Sequence, residues 1–262
     1  MMNKLEAVIL DWAGTTVDFG CFAPVQAFVE AFRENQIEVE TDEVRSPMGM
    51  RKKDHIRTML SMDRINKLWV VKHQRPWNEE DLDRIYLSSE RKIFEILGDF
   101  SNPKPYVLEA VEGLRKMNVK IGSTTGYTDA MMKIVTQKAK DQGFETDCWV
   151  TPDSVNYMGR PYPYMIFRNM EILKISSVKN VIKVGDTLLD IKEAKNAGII
   201  AVGVIDGSSE MGLSEKEFDA ISQEQKYELR EKVRTAYIKE GADAVIQDMQ
   251  ELIGLIGNMG FN

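Results

Sequence analysis

The sequence predicts an α/β fold in which a parallel sheet is interrupted after its first strand by a long helical insert. Three short apolar runs, each followed at once by polar residues, predict strands that end at one edge of the sheet: 7–10, 119–123 and 180–185. Helical patterns separate the second run from the third, as a crossover between parallel strands requires. Residues 21–99 show helical patterns without a convincing strand, which indicates the insert.

Single capping residues and shorter apolar runs predict further helices and strands. Thr128 is a candidate N-cap of one helix, and Asp190 lies in the first turn of another. We also expect strands at 148–150 and 200–204. The chain from Glu215 onward is expected to add surface helices.

These patterns divide the chain into two domains. We expect residues 1–20 and 100–262 to form the sheet domain and residues 21–99 to form an all-helical cap. Apolar stripes at helical spacing follow Pro24 and Asn78, as in helices that pack on a core. Because the insert directly follows the loop of the first strand, it should cover the sheet edge where ligands bind and exclude water there.

The composition narrows the function and the compartment. The 262 residues carry a net charge of −7 without a block of Lys or Arg, which argues against nucleic acid or an anionic membrane and favours a small-molecule partner. The two cysteines, Cys21 and Cys148, are too few for a disulfide framework or a cysteine-rich zinc site. Residues 1–6 resemble neither a signal peptide nor a membrane span, so we expect a cytoplasmic protein.

Three acidic residues should meet at the carboxyl ends of the strands. Asp11 follows the first strand, and Asp186 and Asp190 follow the third, in Gly-Asp-Thr-Leu-Leu-Asp. Carboxylate and backbone oxygens suit Mg²⁺, so Asp11 and Asp186 are candidate metal ligands. Asp11 is also a candidate nucleophile, with a turn cap as the alternative. Asp190 is either a supporting residue of the metal site or an ordinary first-turn acid.

A second set of residues is suited to an anion. Thr125 and the amides around Gly126 can hold anionic oxygens, and Arg160 in Gly-Arg-Pro-Tyr-Pro can contact the same group at two points. With that charge neutralised, Asp11 can attack phosphorus in line. The sequence therefore predicts phosphoryl-transfer chemistry at the sheet edge.

The motifs resemble those of the haloacid dehalogenase (HAD) superfamily: Asp11 followed by Gly-Thr, the Thr after the second strand, and the late Gly-Asp-x-x-x-Asp. The resemblance implies a Rossmann-like parallel sheet with an inserted helical cap. Phosphomonoesterases of this superfamily have a second Asp two residues after the nucleophile, where this chain has Ala13. Either the leaving group needs no proton from that position, or the site is inactive, or the bond broken is not phosphorus to oxygen. The Ala13 carbonyl is then the expected metal ligand.

Residues 47–55, Pro-Met-Gly-Met-Arg-Lys-Lys-Asp-His, are similar to the phosphonatase family within this superfamily, as are Gly-Cys-Phe-Ala-Pro and Gly-Ser-Thr-Thr-Gly-Tyr-Thr. The resemblance implies hydrolysis of the carbon–phosphorus bond of phosphonoacetaldehyde to acetaldehyde and phosphate, in the degradation of 2-aminoethylphosphonate. It implies a lysine Schiff base, an aspartyl-phosphate and Mg²⁺. It also implies a homodimer formed through the caps.

The resemblance assigns the Schiff base to Lys52 and a proton shuttle to His55, three residues further along one helical face. Lys53 has the wrong register. We expect Arg51 and Lys53, together with burial, to lower the pKa of Lys52. The alternative for the three basic residues is a solvated helix end.

The remaining candidates also have packing alternatives. By resemblance Cys21, Met48 and Tyr127 lie at the substrate, but each could equally serve as a buried packing residue. Two other classes of function compete with the main hypothesis: another hydrolase of the superfamily, either a haloacid dehalogenase or a phosphatase, and a non-catalytic phosphate-binding protein.

Overall fold

The computed structural model describes residues 4–261, and it confirms the α/β class and the parallel sheet. The sheet has five parallel strands in the order β2-β1-β3-β4-β5. Their bounds are β1 Ala7–Leu10, β2 Lys120–Ser123, β3 Val181–Gly185, β4 Ile200–Val204 and β5 Ala244–Ile246. The first three residues, part of the segment in which no signal peptide is expected, and Asn262 lie outside the described residues.

The helical insert follows β1 and contains five helices. They are α1 Phe22–Glu34, α2 Thr41–Arg45, α3 Lys52–Ser61, α4 Asp63–His73 and α5 Glu79–Ile96. Asn78 caps α5 by accepting a hydrogen bond from the Asp81 amide at 3.0 Å. Side chains from these helices form a hydrophobic cluster of their own, around Phe28, Phe32 and Trp69. This separate cluster supports the domain limits at residues 21 and 99, which remain a prediction.

Seven further helices cover the two faces of the sheet. They are α6 Val107–Lys116, α7 Asp129–Asp141, α8 Tyr164–Leu173, α9 Leu188–Ala197, α10 Glu215–Ala220, α11 Gln223–Glu240 and α12 Leu252–Asn258. Thr128 caps α7, as the sequence predicts, and Asp190 lies in the first turn of α9. Within residues 4–261, no helix is both long enough and apolar enough to cross a membrane.

Two expectations about strands were wrong. Residues 148–150 form only an isolated bridge, in which Val150 pairs with Thr124 beyond the end of β2. The tail is not only helical, because Ala244–Ile246 forms the edge strand β5 beside β4. β5 has three residues, of which only Ile246 is buried, so its pattern is too short to distinguish a strand from a helix.

The two linkers between the helical insert and the sheet domain are bonded to each other. The Lys104 amide donates to the Thr16 carbonyl at 2.8 Å, and Val17 and Pro103 form an antiparallel bridge. The Lys104 ammonium is buried and donates to the carbonyls of Gly14 and Asp206. Both linkers are thereby fixed to the loop that follows β1.

We expect Tyr237→Phe to destabilise the sheet domain. The buried Tyr237 hydroxyl on α11 lies 2.6 Å from the Asp186 carbonyl and 3.1 Å from the Val204 carbonyl. Its removal leaves buried acceptors without a donor, which should lower the free energy of unfolding in urea by about 1–3 kcal/mol. Tyr227→Phe on the same helix is the control, because Tyr227 is 66% exposed. Equal effects of the two substitutions would contradict the prediction.

Candidate active site

The ends of three strands lie side by side and carry the candidate residues. β1 is central, with Leu10 paired to Ser123 of β2 on one side and to Val184 of β3 on the other. The next residues along each strand are therefore neighbours. The Asp11 amide donates to the Val184 carbonyl at 3.0 Å, and the Thr124 amide donates to the Leu10 carbonyl at 3.1 Å.

Asp11, Asp186 and Asp190 are buried together. Each offers a carboxylate oxygen within 4.8 Å of the others, and the three could hold a metal ion. Asp186 accepts hydrogen bonds from the Thr15 hydroxyl at 2.9 Å and the Ser209 amide at 2.8 Å. Burial, and then the charges of Asp11 and Asp190, raise the pKa of Asp186 well above its ordinary value. A divalent cation would relieve that repulsion, so the donor set fits Mg²⁺.

The loop after Asp11 lies against Asp186. Gly14 has a φ of +88°, and a Cβ at this position would lie 2.0 Å from Asp186 Oδ2. Only glycine permits this conformation and this approach. Among the described residues, no backbone amide donates to the Ala13 carbonyl, which leaves that oxygen available to a cation.

Arg160 is buried at the centre of the acidic residues. Its Nη2 lies 2.5 Å from Asp11 Oδ1, 3.0 Å from Asp190 Oδ1 and 2.9 Å from the Thr124 carbonyl. Its Nε lies 3.1 Å from Glu193 Oε2. Burial alone would lower the pKa of Arg160, but the three carboxylates raise it well above its ordinary value. A permanent positive charge therefore lies directly beside the candidate nucleophile.

The helical insert lies close to this edge of the sheet at two glycines, one in the insert and one in the loop after β2. A Cβ on Gly126 would lie 2.9 Å from the Met50 carbonyl, and a Cβ on Gly49 would lie 2.7 Å from the Thr187 hydroxyl. The Thr125 hydroxyl accepts a hydrogen bond from the Tyr127 amide at 3.1 Å. The loop before α3 therefore approaches the loops after β2 and β3 to backbone contact distance.

Lys52 is the first residue of α3 and is only 5% exposed. Its Nζ lies 5.0 Å from the centre of the Tyr127 ring and 5.6 Å from that of Phe28. Burial is the main cause that lowers the pKa of Lys52, and Arg160 also lowers it, while Cys21, Asp11 and Asp18 oppose the shift. At a given pH, Lys52 is therefore a neutral amine in a larger fraction of the molecules.

Arg160, and not Arg51 or Lys53 as expected, is the cation among the main causes of this lowered pKa. The Arg51 guanidinium lies over the Tyr157 ring, 4.4 Å from its centre, and Lys53 pairs with Asp83. Both cations therefore lie against partners of their own, although the two residues line the adjoining cleft together with Lys52. The cation that acts on Lys52 comes instead from the sheet domain.

His55 is fully buried behind Lys52. Its Nε2 lies 2.8 Å from the Val44 carbonyl and must be the protonated nitrogen, because a carbonyl can only accept. Burial and the charge of Lys52 lower the pKa of His55 well below its ordinary value, so the ring is neutral. Among the described residues its Nδ1 has no hydrogen-bond partner.

A small cavity of about 20 Å³, which is room for roughly one water molecule, lies between the sheet edge and the helical insert. It is lined by Asp11, Ala13, Cys21, Pro24, Met48, Gly49, Lys52, Thr125, Gly126, Tyr127, Arg160 and Thr187. Three predicted site residues lie outside this lining: His55, Asp186 and Asp190. The Cys21 thiol stays protonated, because burial raises its pKa well above the ordinary value. A cleft of about 310 Å³ adjoins the cavity and shares Lys52, Gly126 and Tyr127 with it.

Sequence reasoning missed two charged residues of the site, Lys183 and Glu193. Lys183 lies within β3 and Glu193 on α9, and both side chains are buried. The available signal was Lys183 itself, a charge inside the otherwise apolar run Val-Ile-Lys-Val-Gly. A charged residue in a strand that is buried on both faces requires a buried partner.

Comparison with known proteins identifies relatives over nearly the whole chain. The family description of haloacid dehalogenase-like hydrolases matches residues 5–198. The phosphonoacetaldehyde hydrolase of Lysinibacillus sphaericus is 51% identical over 256 residues, which are 98% of this chain and 95% of that protein. The bifunctional phosphonoacetaldehyde hydrolase/aminoethylphosphonate transaminase of Clostridioides difficile is 45% identical over 95% of this chain and 39% of its own length.

A solved structure agrees with these sequences. The phosphonoacetaldehyde hydrolase-like protein of Oleispira antarctica superposes with a TM-score of 0.96 at 36% identity, covering 99% of this chain and 94% of that one. The shared fold therefore includes the helical insert as well as the sheet. By sequence and by structure, this chain belongs to the phosphonoacetaldehyde hydrolase family of the haloacid dehalogenase-like hydrolases.

Proposed function

We propose that this protein hydrolyses the carbon–phosphorus bond of phosphonoacetaldehyde, giving acetaldehyde and phosphate. The observation that carries the proposal is that Lys52 and Asp11 line one small cavity, with no acid at Ala13 to protonate an alkoxide. The names of the relatives support the same substrate. The transaminase fused to the Clostridioides difficile relative supports a role in 2-aminoethylphosphonate degradation, because transamination of that amine would yield the aldehyde.

The reaction begins with the amine of Lys52. Its nitrogen attacks the aldehyde carbon, and loss of water leaves an iminium on Lys52. His55 is the proposed proton shuttle for this step, because its neutral ring has an Nδ1 without a partner among the described residues. Tyr127 packs against the lysine nitrogen and would orient the imine.

The carbon–phosphorus bond then breaks towards the iminium. An Asp11 carboxylate oxygen attacks phosphorus, and the bonding electrons move to carbon and form an enamine, which neutralises the iminium. Protonation of the enamine carbon and hydrolysis release acetaldehyde and the Lys52 amine. Water then attacks the aspartyl-phosphate, which frees phosphate and restores Asp11.

The charges of the site suit the phosphoryl group. Arg160 and the loop at Thr125 and Gly126 would bind its oxygens, while Cys21 and Met48 would form the wall beside the substrate carbons. Mg²⁺ held by Asp11, Asp186 and the Ala13 carbonyl would supply the positive charge that makes phosphorus open to attack. Asp190 would support the site through its ion pair with Arg160.

The small volume of the cavity is our reason to propose a movement of the cap. A volume of about 20 Å³ holds roughly one water molecule and is too small for phosphonoacetaldehyde. We propose that residues 21–99 move relative to residues 1–20 and 100–262 and admit the substrate through the adjoining cleft of about 310 Å³. Closure would then remove water from the imine and the phosphoryl group.

Borohydride reduction in the presence of phosphonoacetaldehyde and magnesium should attach the substrate carbons to Lys52, as located by peptide mapping. Lys52→Ala should abolish the adduct and lower the rate of phosphate release by roughly 10⁴-fold or more, the scale of losing a nucleophile. The rate should fall because, without an iminium on Lys52, nothing withdraws the bonding electrons from the carbon that leaves phosphorus. Full activity of Lys52→Ala would exclude the Schiff base.

Two matched variants separate the steps of this experiment. Asp11→Asn should still form the adduct but release no phosphate, because imine formation does not need the aspartate. Lys53→Ala should still form the adduct on Lys52, since Lys53 pairs with Asp83 and does not line the cavity. If Lys53→Ala were the variant that lost the adduct, the assignment to Lys52 would be wrong.

Metal dependence is expected from the buried aspartates. Treatment with EDTA should stop phosphate release, and Mg²⁺ should restore it. Calorimetric titration of Mg²⁺ into Asp186→Asn should show affinity lower by more than about 10-fold, because the variant loses a buried carboxylate ligand. Asp219→Asn, on the surface, is the control. Activity that is independent of magnesium would favour the dehalogenase alternative.

The homodimer is proposed to form through the helical insert. Exposed apolar side chains on α4 and α5 support it, among them Val71, 71% exposed, and Leu87, 62% exposed. Sedimentation at micromolar concentration should show a dimer, and Val71→Asp should shift it towards monomer by placing a charge in an apolar contact. Tyr227→Asp, at an exposed aromatic on α11, should leave the dimer intact. A monomeric wild type would refute this arrangement.

A further inference from the structure

Two buried charges have no part in the proposed reaction. Lys183 on β3 is 1% exposed and Glu193 on α9 is fully buried, and neither lines the cavity. A charge removed from water is penalised unless other groups compensate it. The contacts of these two residues therefore indicate what they do.

Glu193 holds one edge of Arg160. Its Oε2 lies 3.1 Å from Arg160 Nε and accepts a hydrogen bond from the Thr124 hydroxyl at 3.0 Å. Arg160 Nη2 in turn donates to the Thr124 hydroxyl at 3.0 Å and to its carbonyl at 2.9 Å. The planar guanidinium is thus fixed at Nε and Nη2 together, which sets its orientation as well as its position.

Lys183 completes a ring of alternating charges. Its Nζ lies 2.9 Å from Asp190 Oδ1 and 3.9 Å from Glu193 Oε2. Asp190 Oδ1 also lies 3.0 Å from Arg160 Nη2. Asp190 and Glu193 are three residues apart on one helix face, where two carboxylates repel unless cations lie between them. Lys183 and Arg160 are those cations.

The four charged residues of this ring, Lys183, Asp190, Arg160 and Glu193, contact the candidate nucleophile Asp11 through Arg160. The nitrogen Nη2 that contacts Asp190 and Thr124 also lies 2.5 Å from Asp11 Oδ1. We propose that Lys183 and Glu193 are positioning residues, which hold the Arg160 guanidinium in the plane that faces Asp11 and the phosphoryl oxygens. This inference rests on the proposed function, because it assigns Arg160 to the phosphoryl group.

A purely structural role makes a different prediction. Replacing a buried ion pair by well-packed apolar residues is often neutral or stabilising for the fold. If the pair only filled space, an apolar pair would therefore serve equally well. If it positions Arg160, the apolar protein should fold but bind and transfer the phosphoryl group poorly.

The test measures binding of inorganic phosphate to the magnesium-loaded protein by calorimetry, together with phosphate release from phosphonoacetaldehyde. Glu193→Gln should weaken phosphate binding and lower kcat by about 10- to 100-fold, the usual effect of removing an orienting partner. The borohydride adduct on Lys52 should form as in wild type. The double variant Lys183→Met with Glu193→Leu should fold, as judged by circular dichroism, yet show the same loss.

A double-mutant cycle with Arg160→Ala distinguishes an effect of Glu193 that acts through Arg160 from a general disturbance of the structure. With Arg160 absent, Glu193→Gln should have no further effect on phosphate affinity. An equal loss in both backgrounds, or wild-type binding and kcat in a folded double variant, would overturn the proposal. Lys192→Met is the matched control, because Lys192 is on the same helix and pairs at the surface with Glu240.

The binding measurement also keeps the two hypotheses apart. If wild-type protein releases no phosphate from phosphonoacetaldehyde, the proposed function fails. The effect of Glu193→Gln on the affinity for inorganic phosphate then still decides the role of the ring. A loss that depends on Arg160 supports positioning, and an unchanged affinity refutes it.

Discussion

The ion pair between Arg160 and Asp11 is the interaction on which the rest of the site depends. A nucleophilic carboxylate must approach a phosphoryl group of the same charge, so it needs a permanent cation beside it. The structure supplies that cation from a buried guanidinium, held 2.5 Å from Asp11 by Thr124 after β2 and by Asp190 and Glu193 on α9. The level ends of β1, β2 and β3 bring those segments together.

The helical insert adds what the sheet edge lacks. Among the residues that line the cavity, the sheet domain provides the Asp11 carboxylate and the Arg160 guanidinium, and the amine is that of Lys52 at the start of α3. The glycines Gly49 and Gly126 let the two backbones approach, and this contact buries the lysine. Burial in turn lowers its pKa, so the proposed closure of the insert would favour the reactive neutral amine as well as exclude water.

The sequence predicted the parallel sheet, its strands β1 to β4 and the cap of α7, because these follow from apolar periodicity and local hydrogen bonds. It missed β5, whose three residues are too few for a strand pattern, and the ring around Lys183 and Glu193, whose fourth member, Arg160, comes from a separate segment of the chain. The direction of the pKa of Lys52 was predicted from burial, but the contributing cation, Arg160, lies more than a hundred residues away. The cytoplasmic location remains a prediction.

The bonded linkers limit where the protein can bend. Lys104 and Thr16, together with Val17 and Pro103, tie the two crossings between insert and sheet into one short ribbon. The Lys104 ammonium anchors that ribbon to the loop carrying Gly14. A rotation of the insert must therefore pivot on its own side of this ribbon. In the proposed opening, the insert would therefore move while Asp11 and Asp186 keep their places.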